Sequence, residues 1–334
     1  MPLRRYIRGW FDDRRAPVIL MFHRIADPVC DPWGLSVAPS RFEAQMRALK
    51  ACRMPLSTAD FVSGLEDGTL PALAVAVTFD DGYIDNVRVA KPILESVGIP
   101  ATMFLTTGYL GKQKEFWWDE LTRLVLAGRA AVEGTLVIGS RVFAVRLPAL
   151  ADAAARPSST WRAWQPPRTP REHLYFDIWN ELRVLDHAAR EHGLERARHL
   201  FGQLAPSEND LPMNAEDVRH LVTGACIDIG AHSETHQPLT TLHVNDRRRE
   251  IQGSRSVCET LAGKPVEAFS YPHGDLDAPT AQLVRESGYR WACSTHPAAI
   301  DRARFDLYNL PRVQALDWTA PELERALEKA RADA

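Results

Sequence analysis

Several absences narrow the possibilities before any motif is considered. The 334-residue chain has no excess of basic charge: 40 Lys and Arg stand against 43 Asp and Glu, for a formal net charge of −3. Nucleic-acid binding, which needs a basic field to meet the phosphates, has no support from charge. No apolar run approaches the roughly 20 residues of a membrane-spanning helix. The basic N-terminus (Arg4, Arg5, Arg8) is interrupted by Asp12 and Asp13, and the apolar run that follows, Val18 to Phe22, is shorter than a secretory signal core. The expectation is a cytoplasmic chain without a membrane span. Cysteine is sparse: Cys30, Cys52, Cys226, Cys258 and Cys293 form no Cys-x-x-Cys pair. Their odd number and scatter argue for reduced, mostly buried thiols rather than a disulfide framework. There is no internal repeat and no low-complexity tract. What remains is ordinary for a globular protein, with 45% apolar and 25% charged residues, enough to build a sizeable core.

Against that background, Val75 to Phe79 reads as a buried strand that ends abruptly in Asp80, Asp81 and Gly82. Strand neighbours alternate faces, but a turn at Gly82 lets both acids crowd one point. Taken alone, the same residues also fit a turn with a helix cap. Pro17 to His23 reads as a second buried strand ending in a histidine, which by itself suits a hydrogen-bonded core residue. Ser40 and Glu43 have capping-box spacing ahead of Phe42, Met46 and Leu49. Beyond the paired acids, Val87, Ala90, Leu94 and Val97 line one helix face that Gly98 stops, and Ile99 to Leu105 is again strand-like. Strand, helix, strand in this order predicts parallel βαβ units.

The rhythm breaks between residues 112 and 214. Phe116 to Leu121 opens a helical pattern, Thr135 to Leu147 suits a hairpin, Pro157 to Pro170 is a proline-rich loop with Trp161 and Trp164, and Glu172 to Leu204 is helical and charged. This stretch reads as a mainly helical insertion, its tryptophans serving as its own core or as contacts for a sugar ring. Near Ala215 the rhythm resumes, with strands at Cys226 to Gly230, Val266 to Ser270, Tyr289 to Ser294 and Tyr308 to Gln314. Helices fit Asp246 to Leu261 and Pro279 to Ser287, and a capping box at Thr319 and Glu322 opens a last one. The domain reading is an extension over 1–16, a main domain over 17–315 interrupted by 112–214, and a C-terminal helix over 316–334.

His232 and His236 follow the Cys226 strand, four residues apart, and one helical turn would aim both at one point. Two imidazoles and a carboxylate are a recurring ligand set for a divalent ion, zinc first, with cobalt, nickel and iron also suited. Strand ends on one side of a parallel βα fold are where such sites collect.

Thr78-Phe79-Asp80-Asp81-Gly82, followed by His232-Ser233-x-x-His236, resembles the first two motifs of the polysaccharide deacetylases of the NodB-homology type, carbohydrate esterase family 4. The resemblance covers about 17–111 and 216–315 and leaves the insertion unexplained. It implies an α/β fold, an irregular (β/α)7-type barrel, and metal-dependent hydrolysis of an N- or O-acetyl group on a saccharide, most often N-acetyl. By position it makes Asp81, His232 and His236 the metal ligands and Asp80 the general base. Ser270-Tyr271-Pro272-His273-Gly274 is similar to a Tyr-Pro-Tyr-Gly variant of the third motif. That assignment puts Tyr271 and His273 at the substrate, with a backbone N–H near His273 as oxyanion donor. The arginine that usually steadies the base is missing from this motif, and Arg312 is a candidate replacement. No late Leu-x-His follows Leu276, but Met21-Phe22-His23 fits a branch whose acid histidine comes from the N-terminus, so His23 becomes the expected catalytic acid and His296 the weaker candidate. Two other readings stay open: a hydrolase of other linear or cyclic amides on the same site, and a carbohydrate-binding homologue without activity. The expected partner is an acetylated saccharide rather than nucleic acid, and the pattern assigns no oligomeric state.

Overall fold

The computed structural model describes residues 16–150, 160–202 and 205–330. The N-terminal extension up to residue 15, the first residues of the proline-rich loop and the last four residues lie outside them. In chain order the first half holds β1 (Val18–Phe22), α1 (Pro39–Cys52), β2 (Met54–Pro55), α2 (Thr58–Glu66), β3 (Ala74–Phe79), α3 (Lys91–Val97) and β4 (Ala101–Leu105). The insertion holds α4 (Trp117–Leu121), β5 (Val132–Ile138), β6 (Arg141–Leu147), α5 (Pro170–Val184) and α6 (His187–Phe201). The second half holds α7 (Ala215–Leu221), β7 (Ile227–Ala231), α8 (Val244–Ala262), β8 (Ala268–Ser270), α9 (Ala278–Glu286), β9 (Trp291–Cys293), β10 (Val313–Gln314) and α10 (Ala320–Lys329).

The strands of the two halves form one parallel sheet in the order β10-β1-β3-β4-β7-β8-β9, with β2 added beside β3. Every residue of β1, β3 and β4 is buried, which is why these strands read as unbroken apolar runs. Past β9 the chain stays on the sheet: Leu310 N donates to Ala292 O and Ser294 N to Leu310 O, each at 3.0 Å, and the segment then feeds β10, which pairs with β1. The sheet therefore curls into an irregular barrel, as the sequence implied. The strand faces turned to the helices share one apolar cluster with them, including Phe22, Phe42, Phe79 and Phe269, while the opposite strand faces (Ile19, Ala76, Phe104, Trp291) form a second cluster with Phe61 of α2.

Most helices begin where the sequence signals them. Thr319 and Glu322 form the expected capping box of α10. Ser40 does not cap α1. That helix starts one residue earlier with Pro39 in its first turn and Ala38 as cap, because proline's fixed φ suits that position. The insertion has its own core. Phe116, Trp117, Trp118 and Trp161 are buried in it with the inner face of the β5–β6 hairpin and with Tyr175 of α5. Tyr83, immediately beyond Gly82, packs into that cluster 4.6 Å from the Phe116 ring. The insertion is thus tied to the barrel at the mouth of β3. Among the described residues, no helix is long and apolar enough to cross a membrane.

Candidate active site

Three strand ends open into one cleft of about 340 Å³, lined among others by His23, Asp80, Asp81, His232 and His236. Backbone geometry brings the two adjacent acids together there. Asp80 N still donates to Phe22 O, continuing the sheet ladder, whereas Asp81 and Gly82 turn to φ 75° and 89°. That left-handed turn removes the alternation that would separate the acids, and it requires glycine at 82, where a Cβ would also meet Leu105 at 3.1 Å. The described non-glycine residues with positive φ are Asp81, Ser233, His236 and His273, and every one is in this site. Such concentration of backbone strain marks a functional region.

His232 and His236 converge without a helix. The chain leaves β7 as a loop in which Ser233 and His236 are left-handed, and Ser233 Oγ accepts from His236 N at 3.0 Å. Glu250 of α8 ties the loop down, accepting from Glu234 N and Thr235 N at 2.8 Å and from Thr235 Oγ1 at 2.6 Å. The expected helical turn is replaced because these buried contacts satisfy the loop's donors directly. Asp81, His232 and His236 each offer a ligand atom, all within 4.8 Å of one another. His236 Nε2 is 3.3 Å and His232 Nε2 3.6 Å from Asp81 Oδ1, a buried oxygen that no hydrogen bond engages. His232 Nδ1 lies 2.7 Å from Ser270 O, an acceptor only, so Nδ1 carries the proton and Nε2 is free to ligate.

Burial lowers the pKa of both imidazoles, that of His236 well below its ordinary value, which keeps them in the neutral, ligating form. Burial, with the neighbouring Asp80 charge behind it, pushes the Asp81 carboxyl well above the usual range. An unpaired buried carboxylate facing two neutral imidazole nitrogens is costly by itself, and a divalent cation is the group that this donor set fits.

Asp80 has the opposite surroundings. Arg312, fully buried, donates from Nη1 to Oδ1 at 2.8 Å and from Nη2 to Oδ2 at 2.6 Å. The guanidinium is itself fixed, donating to Ser270 Oγ at 2.8 Å, Thr78 Oγ1 at 3.2 Å and Ser294 O at 3.0 Å. Burial would raise the Asp80 pKa, but the Arg312 charge and hydrogen bonds outweigh it and hold the carboxyl well below the usual range. Two neighbouring acids thus acquire unlike electrostatics from what each one faces.

The polysaccharide deacetylase family model matches residues 67–134 and 184–292, just over half of the chain. The chain belongs to the polysaccharide deacetylase family. It is 30% identical over 112 residues to YxkH of Bacillus subtilis (strain 168), and 35% identical over 79 residues to the poly-β-1,6-N-acetyl-D-glucosamine N-deacetylase of Staphylococcus aureus (strain N315). Those stretches are 33% and 23% of this chain, and they span only 39% and 27% of the two relatives. Among solved structures, the Streptococcus pyogenes deacetylase PplD aligns over 93% of this chain and 98% of its own with a TM-score of 0.58 at 18% identity. IcaB from Ammonifex degensii aligns over 94% and 97% with a TM-score of 0.57 at 15% identity. These two share the fold.

Within this family fold the remaining sequence candidates fall in different places. His23 lines the cleft, one residue past the end of β1. His273 also lines it, its ring 4.5 Å from that of His236, on a turn where its own φ is 59°. The Tyr271 side chain is not among the cleft-lining groups. It packs in the apolar layer between the strands and the helices and donates its hydroxyl proton to Tyr308 O at 2.9 Å. His296 is an exposed residue outside the cleft lining. Of the insertion's tryptophans, Trp117, Trp118 and Trp161 are core, Trp118 and Trp179 reach the cleft lining, and Trp164 is exposed; Trp33 packs beside Trp179 at a ring distance of 4.3 Å. Trp33, Trp179, Arg183 and Glu250 carry no motif. The face that α5 turns to the cleft exists only once the insertion has docked.

Proposed function

We propose that this chain is a metal-dependent carbohydrate deacetylase that hydrolyses an N-acetyl group on a saccharide or saccharide precursor. The observation that carries the reading is the division of labour between Asp80 and Asp81. One is clamped by Arg312, the other is unpaired beside two neutral imidazoles, and both open into one cleft.

Asp81, His232 and His236 would hold the ion. The chemistry it supplies there is polarisation of a carbonyl and acidification of water toward a pKa of about 7. Asp80 stays ionised through the neutral range and, locked by Arg312, accepts the proton of the attacking water. Its low basicity is offset by the fixed orientation, since no reorganisation is needed at the moment of transfer. Burial lowers His23 to about 4, against the opposing pull of Asp80, so it starts as a neutral imidazole rather than an imidazolium. The proton that Asp80 takes from the water has then to move on to His23, which passes it to the leaving amine and returns to the neutral form. The strained turn at His273 suits a backbone donor aimed at the developing oxyanion, worth roughly 10²–10³ in rate.

The reading as an inactive carbohydrate-binding homologue drew on the missing third-motif arginine and the missing late histidine. The pairing of Arg312 with Asp80 speaks against the first, and His23 in the cleft lining against the second. The Staphylococcus aureus relative's named substrate favours an N-acetylated glucosamine polymer among possible sugars.

The test is metal content beside acetate release. The full chain, stripped with chelator and reloaded, should hold about one divalent ion and release acetate from N-acetylated oligosaccharides. His232→Ala should lose the ion. Asp80→Asn should keep it and lose roughly 10²–10⁴ in turnover. Absence of a specific ion in the wild-type protein would end the metallohydrolase reading.

A further inference from the structure

The other buried or half-buried arginines in and around the insertion are spoken for. Arg24 pairs with Asp85 and Asp210, Arg198 with Glu120 and Glu191, and Arg190 is spent on backbone carbonyls. Arg183 is the exception. It lines the cleft from the last turn of α5, and among the described residues no carboxylate or carbonyl receives its guanidinium. Its Nε is buried without a hydrogen-bond partner. Its guanidinium sits over the ring of Trp179, one helical turn back, 5.3 Å from the centroid.

The helix end that carries this cation is held in place. Arg190 donates from Nε to Leu182 O at 2.9 Å and from Nη2 to Leu185 O at 2.9 Å and Arg183 O at 3.3 Å, closing the carbonyls at the end of α5. Gln237, next to His236, donates to Leu185 O at 3.3 Å, so the helix end is tied to the histidine loop. Beside it, Trp33 and Trp179 form an aromatic wall of the cleft. Of the two acids in the cleft lining, Asp80 is paired with Arg312, and Asp81 faces the two imidazoles with which it would hold the ion, so neither is a partner for Arg183. A partly desolvated guanidinium carried on an anchored helix end, beside an aromatic wall, is a receptor for an anion carried on a ring.

We propose that the cleft selects a saccharide bearing an anionic oxygen group, carboxylate or phosphate, which Arg183 receives while the ring lies against Trp33 and Trp179. This rests on the deacetylase reading for the identity of the ring as an N-acetyl sugar. It deepens that reading by naming the charge of the substrate. An Arg fork to such a group is worth about tenfold or more in affinity.

The experiment compares three probes on the metal-loaded full chain: N-acetylglucosamine, N-acetylglucosamine 6-phosphate and N-acetylmuramic acid. Binding is read by stopped-flow quenching of tryptophan fluorescence, before appreciable turnover, and acetate release is followed in parallel. At least one anionic probe should bind about tenfold or more tightly than the neutral sugar, and the arm that does so tells phosphate from carboxylate. The preference should disappear in Arg183→Gln and return in part in Arg183→Lys, which restores charge without the fork. Equal binding of neutral and anionic probes would overturn the proposal. So would a preference that survives Arg183→Gln, as it would if phosphate bound only at the metal ligands. An anion preference without acetate release from these probes or from N-acetylated oligosaccharides would leave this inference standing and remove the deacetylase reading. Acetate release without an anion preference would do the reverse.

Discussion

Replacing Arg312 with Met tests whether Asp80 depends on a buried cation. Methionine keeps the apolar stem and removes the fork that donates to both carboxylate oxygens, to Ser270 and to Thr78. Asp80 would then be a buried, unpaired charge, and breaking such a pair costs about 3–5 kcal/mol. That is a large part of the roughly 5–15 kcal/mol that holds a typical domain together. The pH dependence is the diagnostic part. In the wild-type protein Asp80 has a depressed pKa, so its contribution is present at neutral pH and is lost only as strong acid protonates it. In the variant, burial no longer meets an opposing cation, and the pKa moves above that of an unfolded aspartate. Protonation then relieves the folded state, and the deficit relative to wild type should shrink between pH 8 and pH 5. Urea titrations of chelator-treated protein at both pH values would measure this. Asp80→Asn in the Arg312→Met background should recover part of the loss, because it removes the stranded charge. If the deficit is equal at both pH values and Asp80→Asn recovers nothing, Arg312 is a packing residue and its electrostatic role is wrong.

Three further outcomes follow from the same geometry. Glu250→Ala frees the donors of Glu234 and Thr235 that hold the histidine loop, and should weaken metal affinity about 10–100-fold in a chelator competition; unchanged affinity would show that the loop holds itself. His23→Gln should lower acetate release by roughly 10²–10⁴ while leaving metal affinity alone, and an equal loss of metal would make His23 a structural partner of the triad. Burial lowers His23 to about 4 and His273 to about 3, so between those values and about 6.5 the unfolded chain binds more protons than the folded one. Stability of the metal-free protein should therefore be full above pH 6.5 and fall as the pH drops toward 4, by up to about 3 kcal/mol from His23 alone; a melting temperature that stays flat across that window would contradict it.

The sequence showed those parts of the site that lie where a buried strand stops. Asp80, Asp81, His232 and His23 each follow an apolar run directly, so their place at the mouth of the sheet could be read from order alone. His236 was paired with His232 for the right spacing and the wrong conformation, since a left-handed Ser233 has no signature in a pattern of apolar residues. Tyr271 looked like a site residue because its neighbours are, but on β8's exit its side chain turns to the apolar layer under the helices. Trp179 and Arg183 lay hidden in a helix that reads as charged throughout. Which of its faces meets the cleft is decided by packing against Trp117 and by the clamp of Arg190, contacts made between distant segments.

β4 pairs directly with β7, although the whole insertion lies between them in the chain. During synthesis Asp81 therefore emerges long before His232, so the newly made first half presents one of the three residues proposed to hold the ion. An ion bound there would not guide the early steps; it would act as a latch once β7 has docked, with its binding energy falling on the finished assembly. The same arrangement makes continuity of the backbone secondary to sheet pairing. A chain nicked in the insertion keeps its ligands together for as long as β4 and β7 stay side by side.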